Sequence, residues 1–274
     1  IVFGTRTITQ AVDLKTKLEK LGLTANNATI ASIDAEAMYP SIKYKLIEQA
    51  VNYYADTIDD DEDHIKIHIG LELIKFGLKN TILTFVDKYY KYDGNLKMNE
   101  KGLTIGGYES SWLACLAMSY LLDKMNQGPL NELKYFGIYR DDGIGVFEGK
   151  QSEQQLVTWL DHFQAGLNKV AGNDFLKFTA VLWKPATLNA GIDDAEGHSP
   201  RLDPRVSIAM DNHFPFLDME LSWNEERELS FGVHLKPNQQ LKYLNKGSAH
   251  TTGCLLPRDY QRHLQEVDET NHDQ

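Results

Sequence analysis

Two carboxylates stand side by side in the middle of the chain, between two apolar runs. Asp141 and Asp142 follow the run Lys134–Tyr139, and Gly143 and the run 144–147 come after them. An Asp-Asp-Gly tip between such runs predicts a β-hairpin. Asp and Gly are common in solvated turns because of their backbone preferences, whereas paired carboxylates also suit a divalent metal ion. The pair alone therefore leaves both a turn and a metal site open.

A third carboxylate follows a separate apolar run near the start of the chain. The run Ala28–Ile33 predicts a short buried strand that ends at Asp34. A turn over residues 35–42 then leads into a predicted helix from Lys43 to about Thr57. An Asp at a strand end commonly serves as a cap or turn residue. It can also serve as a metal ligand at the edge of a sheet.

Glycines cluster between these two features. Gly102, Gly106 and Gly107 precede a predicted helix from about Glu109 to Asn126. Glycine allows tight turns, and it also allows a backbone to approach a ligand closely. The spacing by itself is a weak signal, so a plain turn and a nucleotide pocket both remain open.

The order of the three features is that of a palm-type polymerase, in which one strand and one hairpin bring three carboxylates together. Phosphoryl transfer to a 3'-hydroxyl is assisted by two Mg²⁺ ions that stabilise the attacking and leaving oxygens. Mg²⁺ is usually held by a few carboxylates together with substrate phosphates. We therefore predict that Asp34 and Asp141 bridge the metal ions and that Asp142 completes or tunes their shell.

Three stretches carry a resemblance to reverse transcriptases. Tyr139-Arg140-Asp141-Asp142 resembles their Tyr-x-Asp-Asp box, residues 34–42 resemble their first catalytic motif, and residues 102–117 resemble the turn and helix of the template and nucleotide pocket. Among reverse transcriptases, these motifs are most similar to those of Penelope-like retroelement enzymes, and the resemblance covers residues 28–264. Further matching stretches are Thr84–Gly94, Phe178-Thr179, Phe216-Leu217-Asp218, Leu235-Lys236-Pro237, Tyr243-Leu244 and Ser248-Ala249-His250.

The resemblance implies an RNA-directed DNA polymerase of a retroelement, a nucleotidyltransferase that uses Mg²⁺ or Mn²⁺. Its partners would be an RNA template, a DNA primer and dNTPs. The catalytic residues would be Asp34, Asp141 and Asp142, and the carbonyl of Ala35 would be a further metal ligand. Tyr39 matches the aromatic that blocks a 2'-hydroxyl, although a core aromatic would look the same. The implied nucleotide-binding residues are Ala35, Glu36, Ala37, Met38, Tyr39, Ile105 and Gly106.

The resemblance also implies roles after the hairpin. Residues 216–234 would grip the primer end, and Lys184, which is next to the insertion, would protonate the leaving pyrophosphate. Contacts with backbone phosphates are implied for four residues for which ordinary surface charge is the alternative: Lys236, Lys242, Lys246 and Arg258.

Two departures put parts of this reading in doubt. Tyr108 and Ser111 stand where the second motif usually has prolines, which affects the template pocket. Residues 1–27 are too short for a full fingers domain, the part of such enzymes that holds the triphosphate.

The expected fold is α+β: a polymerase palm-type antiparallel sheet with helices packed on one face, plus partial fingers and thumb-proximal elements. We expect an N-terminal helical segment over 1–27, a core over 28–235 with an insertion at 184–213, and a C-terminal segment with a polar tail over 236–274. Further predicted helices cover 10–21, 64–80 and 151–171, with a hairpin around Asp93-Gly94 and strands over 175–183, 214–223 and 228–235.

Composition limits the function classes. The chain has 274 residues, 42% of them hydrophobic, and a net charge of −11, which disfavours a nucleic-acid binder. It has no apolar run of membrane-spanning length, and no signal peptide opens it, so we expect no membrane partner. Two distant cysteines fit a reducing compartment, so we expect an intracellular location, nuclear or cytoplasmic. An RNA-dependent RNA polymerase and a catalytically silent palm that binds RNA or protein remain alternatives.

Overall fold

The structure is a computed structural model, and it describes residues 6–8, 10–91, 97–107, 109–125, 128–172, 176–184 and 203–234. The chain divides into a unit over 1–234 and a second unit over 235–274. The second unit lies outside the described residues, and with it lie the predicted phosphate contacts at Lys236, Lys242, Lys246 and Arg258.

The fold is mixed α+β. The helices are α1 (Ala11–Glu19), α2 (Met38–Ser41), α3 (Tyr44–Ala55), α4 (Asp61–Asn80), α5 (Ser110–Lys124) and α6 (Glu153–Ala171), with short 3₁₀ turns at Met98–Glu100 and Pro129–Glu132. The strands are β1 (Ala28–Glu36), β2 (Ile82–Phe85), β3 (Lys88–Lys91), β4 (Leu133–Tyr139), β5 (Asp142–Glu148), β6 (Lys177–Trp183), β7 (Val206–Ala209), β8 (His213–Phe216), β9 (Met219–Trp223) and β10 (Leu229–Val233).

A five-stranded sheet organises the described part of the chain. Its strand order is β4-β5-β1-β6-β7, so β1 is central and is paired on both sides. The pairs β4–β5, β5–β1 and β1–β6 are antiparallel, whereas β7 runs parallel to β6. Separate sheets are formed by β10-β9-β8 and by β2-β3.

Alternation along β1 sends its side chains into two different cores. Ala31, Ile33 and Ala35 belong to a core that also contains buried residues of α3, α5 and α6, whereas Ala28 and Ile30 belong to a second core. The second core includes apolar residues of α1 and of the sheet β8–β10. The sheet is therefore covered on both faces, and the expectation of helices on one face holds for α3, α5 and α6 but not for α1.

Helix α6 shows how local sequence specifies an element that supports the sheet. Ser152 and Gln155 form a reciprocal capping box at its start, and Gly172 ends it with φ of +71°. The four apolar residues that predict its buried face, Leu156, Leu160, Phe163 and Leu167, are all fully buried. Trp159 stacks on Phe163 with 4.9 Å between ring centroids. The predicted helix over 151–171 is confirmed.

Two predicted strand positions are wrong. The structure also contains a hairpin after α4 that turns at Val86-Asp87, both with positive φ, whereas the turn predicted at Asp93-Gly94 lies outside the described residues. The segment 184–213 contains β7, because parallel pairing with β6 buries Val206. The single strand predicted over 214–223 is two strands, β8 and β9, which are joined by a turn at Leu217-Asp218.

None of the helices in the described ranges combines the length and the apolar character that a bilayer-spanning helix needs.

Candidate active site

Strands β1 and β5 bring two of the predicted carboxylates together. Asp34 and Asp142 are directly opposed residues of the antiparallel pair, so their side chains leave the same face of the sheet. Alternation places them on the face that carries Ile30 and Ile144 farther along, but at the exposed end of the strands. The predicted end of β1 at Asp34 is wrong, because pairing with both β5 and β6 continues the strand to Glu36.

The third carboxylate lies in the turn of the predicted hairpin. Strands β4 and β5 are joined by the two residues Arg140 and Asp141, and Tyr139 pairs with Asp142 to close the turn. The hairpin itself is confirmed, but its tip is Arg-Asp rather than Asp-Asp-Gly, because Arg140 adopts the positive φ (+59°) that the tight turn requires. The amide of Ala35 donates a hydrogen bond of 3.1 Å to the Asp141 carbonyl, which ties the turn to β1.

Like charges interact across this end of the sheet. The pKa of Asp34 is raised from its ordinary value, first by partial burial and then by the negative charges of Asp141 and Glu36. The carboxylates of Asp34 and Asp141 are thus close enough to repel each other. A cation placed between them would relieve that repulsion.

The donor atoms at this end fit a magnesium ion only in part. Across the described ranges, no three His, Cys, Asp or Glu side chains are gathered closely enough to hold a metal ion by themselves. Asp34 and Asp141 supply hard oxygen donors, and Mg²⁺ is commonly bound by one or two carboxylates with water and substrate phosphates completing its shell. The pair fits that pattern. The metal roles of Asp142 and of the Ala35 carbonyl stay predictions.

Tyr39 lies in α2 beside the hairpin turn. The pKa of its hydroxyl is raised mainly by burial, while the charge of Arg140 lowers it and that of Asp141 raises it, so the side chain lies within reach of both charges. The ring is half-buried and packs against the helix-side core. Tyr39 thus lies close enough to the hairpin turn to feel its charges, and a core role and a role at the site are compatible.

The other predicted nucleotide-binding residues differ in exposure. In the first motif, Glu36 and Ala37 are exposed, whereas Ala35 and Met38 are buried. In the glycine-rich loop, Ile105 is 81% exposed, and Gly106 has φ of +88°, a conformation that favours glycine. Their contact with a nucleotide stays a prediction.

Gly102 has a structural role. A Cβ atom at this position would lie 2.7 Å from Pro40 Cα, so only glycine fits against the α2 turn. Backbone hydrogen bonds join the same two segments, from Leu103 N to Tyr39 O at 2.9 Å and from Tyr44 N to Lys101 O at 2.9 Å. The glycine-rich loop thus fixes the segment that carries Tyr39.

A cavity of about 140 Å³ lies beside the hairpin turn, and the sequence patterns did not predict it. Its lining is Thr7, Ile8, Ser111, Trp112, Cys115, Tyr139 and Arg140. Burial raises the pKa of the Cys115 thiol, while the nearby Arg140 lowers it. Ser111 and Cys115 are one helical turn apart on α5, and that spacing is the signal that could have paired them.

The structure also shows where Lys184 and most of the predicted primer-gripping segment lie. The amide of Lys184 donates a hydrogen bond of 2.9 Å to the Ala209 carbonyl, which joins β6 to the end of β7. The predicted primer-gripping segment 216–234 forms most of the sheet β8–β10, and Phe216, Met219 and Leu221 pack into the second core. The roles of Lys184 and of this sheet toward pyrophosphate and primer stay predictions.

No family model matches the chain, and no curated protein matches it. Among solved structures, the chain is similar to apo telomerase from Candida tropicalis truncated from its C-terminal domain, with 10% identity, a TM-score of 0.42, and coverage of 84% of this chain and 41% of that one. It is also similar to telomerase from Candida albicans in complex with a TWJ fragment of telomeric RNA, with 11% identity, a TM-score of 0.47, and coverage of 79% and 34%. The chain spans less than half the length of either structure.

Proposed function

We propose that the chain is the palm region of an RNA-directed DNA polymerase, which transfers nucleotides from dNTPs to a DNA primer on an RNA template. One observation carries the proposal. The strand register opposes Asp34 to Asp142, and a hydrogen bond ties the Asp141 turn to β1. Carboxylates from two motifs that are more than a hundred residues apart thereby meet at one end of one sheet. Nucleotidyl transfer assisted by two metal ions requires carboxylates that are brought together in this way.

The residues at this end divide the work in the proposed mechanism. Asp34 and Asp141 would hold the divalent cations, Mg²⁺ or Mn²⁺, and Asp142 and the Ala35 carbonyl would complete the donor set. Bound cations would stabilise the developing charge on the attacking and leaving oxygens. Tyr39, positioned by its backbone bond to Leu103, fills the space beside the turn and so selects nucleotides without a 2'-hydroxyl.

The finer assignment to a Penelope-like retroelement enzyme rests on the sequence motifs. The order of the first motif, the glycine-rich loop and the Tyr-x-Asp-Asp box supports a reverse transcriptase. The stretch Thr84–Gly94 resembles the corresponding stretch of Penelope-like enzymes. We also propose that the protein acts inside the cell, in the nucleus or the cytoplasm.

Primer extension tests the proposal. The protein is incubated with a DNA primer on an RNA template, with dNTPs or rNTPs and with Mg²⁺ or Mn²⁺. We expect extension with dNTPs that is lost in Asp141→Asn and in Asp34→Asn, because each variant removes a metal ligand. Asp59→Asn, in the exposed loop before α4, removes the same charge and should retain activity. Extension by Asp141→Asn at the wild-type rate would refute the mechanism.

A catalytically silent palm that binds RNA or protein is the second candidate. Two observations favour silence over polymerase activity: no three-residue metal-ligand group is assembled across the described ranges, and the net charge of −11 disfavours a nucleic-acid substrate. Failure of extension with every nucleotide and metal, combined with retained RNA binding, would select this candidate. Extension with rNTPs in preference to dNTPs would instead select an RNA-dependent RNA polymerase.

A further inference from the structure

The hairpin formed by β2 and β3 is an exposed apolar ribbon. All eight of its strand residues are exposed, and the exposed fractions of its aromatic residues Phe85, Tyr89 and Tyr90 are 70%, 78% and 48%. An isolated two-stranded hairpin is marginally stable in water. Exposed apolar surface of this kind commonly marks a binding site. We therefore consider the ribbon as a binding surface.

The register gives each face of the ribbon an aromatic ring and a lysine. Thr84 is opposite Tyr89 and Ile82 is opposite Lys91, which places Tyr89 and Lys91 on one face. Leu83 opposite Tyr90 and Phe85 opposite Lys88 form the other face. Aromatic rings that alternate with cations are the surface on which single-stranded nucleic acids bind, because bases stack on the rings and phosphates meet the ammonium groups.

A cavity at this hairpin has matching chemistry. It has a volume of about 310 Å³ and is lined by Asn80, Ile82, Tyr89, Tyr90 and Lys91. One amide hydrogen of Asn80 is used within α4, in a 2.8 Å bond to the Phe76 carbonyl, which leaves its other hydrogen and its oxygen for a ligand. An amide can read the edge of a base, and a lysine can contact a phosphate.

Charge decides between the candidate occupants. Residues 82–91, which form the hairpin, contain two lysines and one acidic residue, whereas the whole chain has a net charge of −11. A second copy would bring two cationic segments together, which is unfavourable. A polyanion is complementary to the segment.

We propose that the β2–β3 hairpin binds a single-stranded nucleic acid that contacts both of its faces. On one face a base stacks on Tyr89 beside a phosphate contacted by Lys91, and on the other a base stacks on Tyr90 beside a phosphate contacted by Lys88. The proposal rests on the proposed function only in taking RNA as the strand. It assigns binding to a surface other than the carboxylate end of the sheet.

Equilibrium binding tests the hairpin separately from catalysis. Fluorescence anisotropy of a labelled single-stranded RNA of about 12 nucleotides is measured in EDTA, where no metal-dependent extension occurs. We expect the double variant Tyr89→Ala/Tyr90→Ala to lose about tenfold or more in affinity. The matched variant Tyr89→Phe/Tyr90→Phe keeps the rings and should bind within about twofold of the wild-type protein.

The lysines are tested by salt dependence. Lys88→Gln/Lys91→Gln should lower the slope of log affinity against log salt by about 1.4, since each contact with a single strand contributes about 0.7. Lys150→Gln/Lys169→Gln removes the same charge from exposed positions elsewhere and should leave the slope unchanged. Because binding is measured in EDTA and without dNTPs, a failed extension assay and a failed hairpin are distinct results.

Three outcomes would overturn the proposal. The first is wild-type affinity in the alanine double variant. The second is equal loss in the phenylalanine double variant. The third is a concentration-dependent dimer, measured by light scattering, that the alanine substitutions abolish, since this would assign the ribbon to a second copy of the chain.

Discussion

Asp34 and Asp142 are directly opposed on β1 and β5, and this pairing fixes the face on which the candidate site lies. Because side chains alternate along a strand, a slip of one residue would turn Asp34 toward the helix-packed core and expose Ile33. The apolar residues Ile30 and Ile144 on the same face are buried in the second core. Burial of those residues therefore also holds the carboxylates in position.

Neutralising Asp34 should stabilise the metal-free protein at neutral pH. The pKa of Asp34 is raised in the folded state from 3.8, so the folded state binds its proton more tightly than the unfolded state does. Stability then falls as the pH rises through 3.8 and through the raised pKa. We expect Asp34→Asn to raise Tm by about 1–2 °C at pH 7, a small gain because Asp34 is exposed.

Calorimetry at two pH values checks the sign of this effect. Near pH 3 both proteins have a neutral side chain at position 34, so their Tm values should converge. Glu225→Gln neutralises an exposed carboxyl in the β9–β10 turn and should give no comparable gain. A lower Tm for Asp34→Asn at pH 7 would contradict the prediction.

Magnesium should stabilise the wild-type protein through the carboxylates. A ligand that binds only the folded state adds about 1.4 kcal/mol at ten times its Kd. Thermal shift across a Mg²⁺ titration should therefore show a rising Tm that saturates. Asp34→Asn and Asp141→Asn should abolish the rise, whereas Asp59→Asn should keep it. An equal rise in all four proteins would place magnesium binding elsewhere.

Substituting Gly102 should loosen the segment that carries Tyr39. The Cβ of Gly102→Ala would overlap the backbone of Pro40, and such overpacking costs about 1–3 kcal/mol. The matched control is Gly70→Ala in α4, where a Cβ meets no atom within 4 Å. Because alanine is a better helix former, that control should gain about 0.5–1 kcal/mol. Urea unfolding measures both, and equal effects would deny the close contact.

Arg205 should contribute to stability by joining α6 to the start of β7. Its guanidinium donates hydrogen bonds to Asp203 and, at 2.7 Å, to Asp161. The bonds to Arg205 lower the pKa of Asp203, so their contribution is present at neutral pH and is lost as the pH falls through that lowered pKa. We expect Arg205→Ala to cost about 1 kcal/mol at pH 7, because the Asp161 partner is exposed.

A pH series of urea unfolding curves tests this. The difference between Arg205→Ala and the wild-type protein should shrink in acid. Arg205→Lys keeps the charge but loses the forked geometry, so it should fall between the two. A difference that is independent of pH would point to packing instead of the ion pair.

Sequence patterns predicted the elements whose information is local. The apolar spacing of Leu156, Leu160 and Leu167 is enough to define α6, and the two runs around Asp141 define the hairpin. Strand β7 was missed because only parallel pairing with β6, a contact that the sequence does not display, buries Val206.

Turns with positive φ on ordinary residues were also missed. Val86, Arg140 and Leu217 adopt such conformations without being glycine. At the β4–β5 hairpin the turn signal pointed to the neighbouring Asp and Gly residues instead of Arg140, and no turn was predicted at Val86 or Leu217. At the candidate site, motif order anticipated that Asp34 meets the hairpin. It did not anticipate that β1 continues past Asp34, since that depends on pairing with strands on both sides.

The central position of β1 has a consequence for motion. An interior strand paired along both edges exchanges its amide hydrogens mainly through global unfolding, whereas an isolated hairpin opens locally at little cost. We therefore expect the amides around Asp34 to exchange more slowly than those of Tyr89 and Tyr90. The strand that carries Asp34 would keep its position while the aromatic ribbon adapts to what it binds.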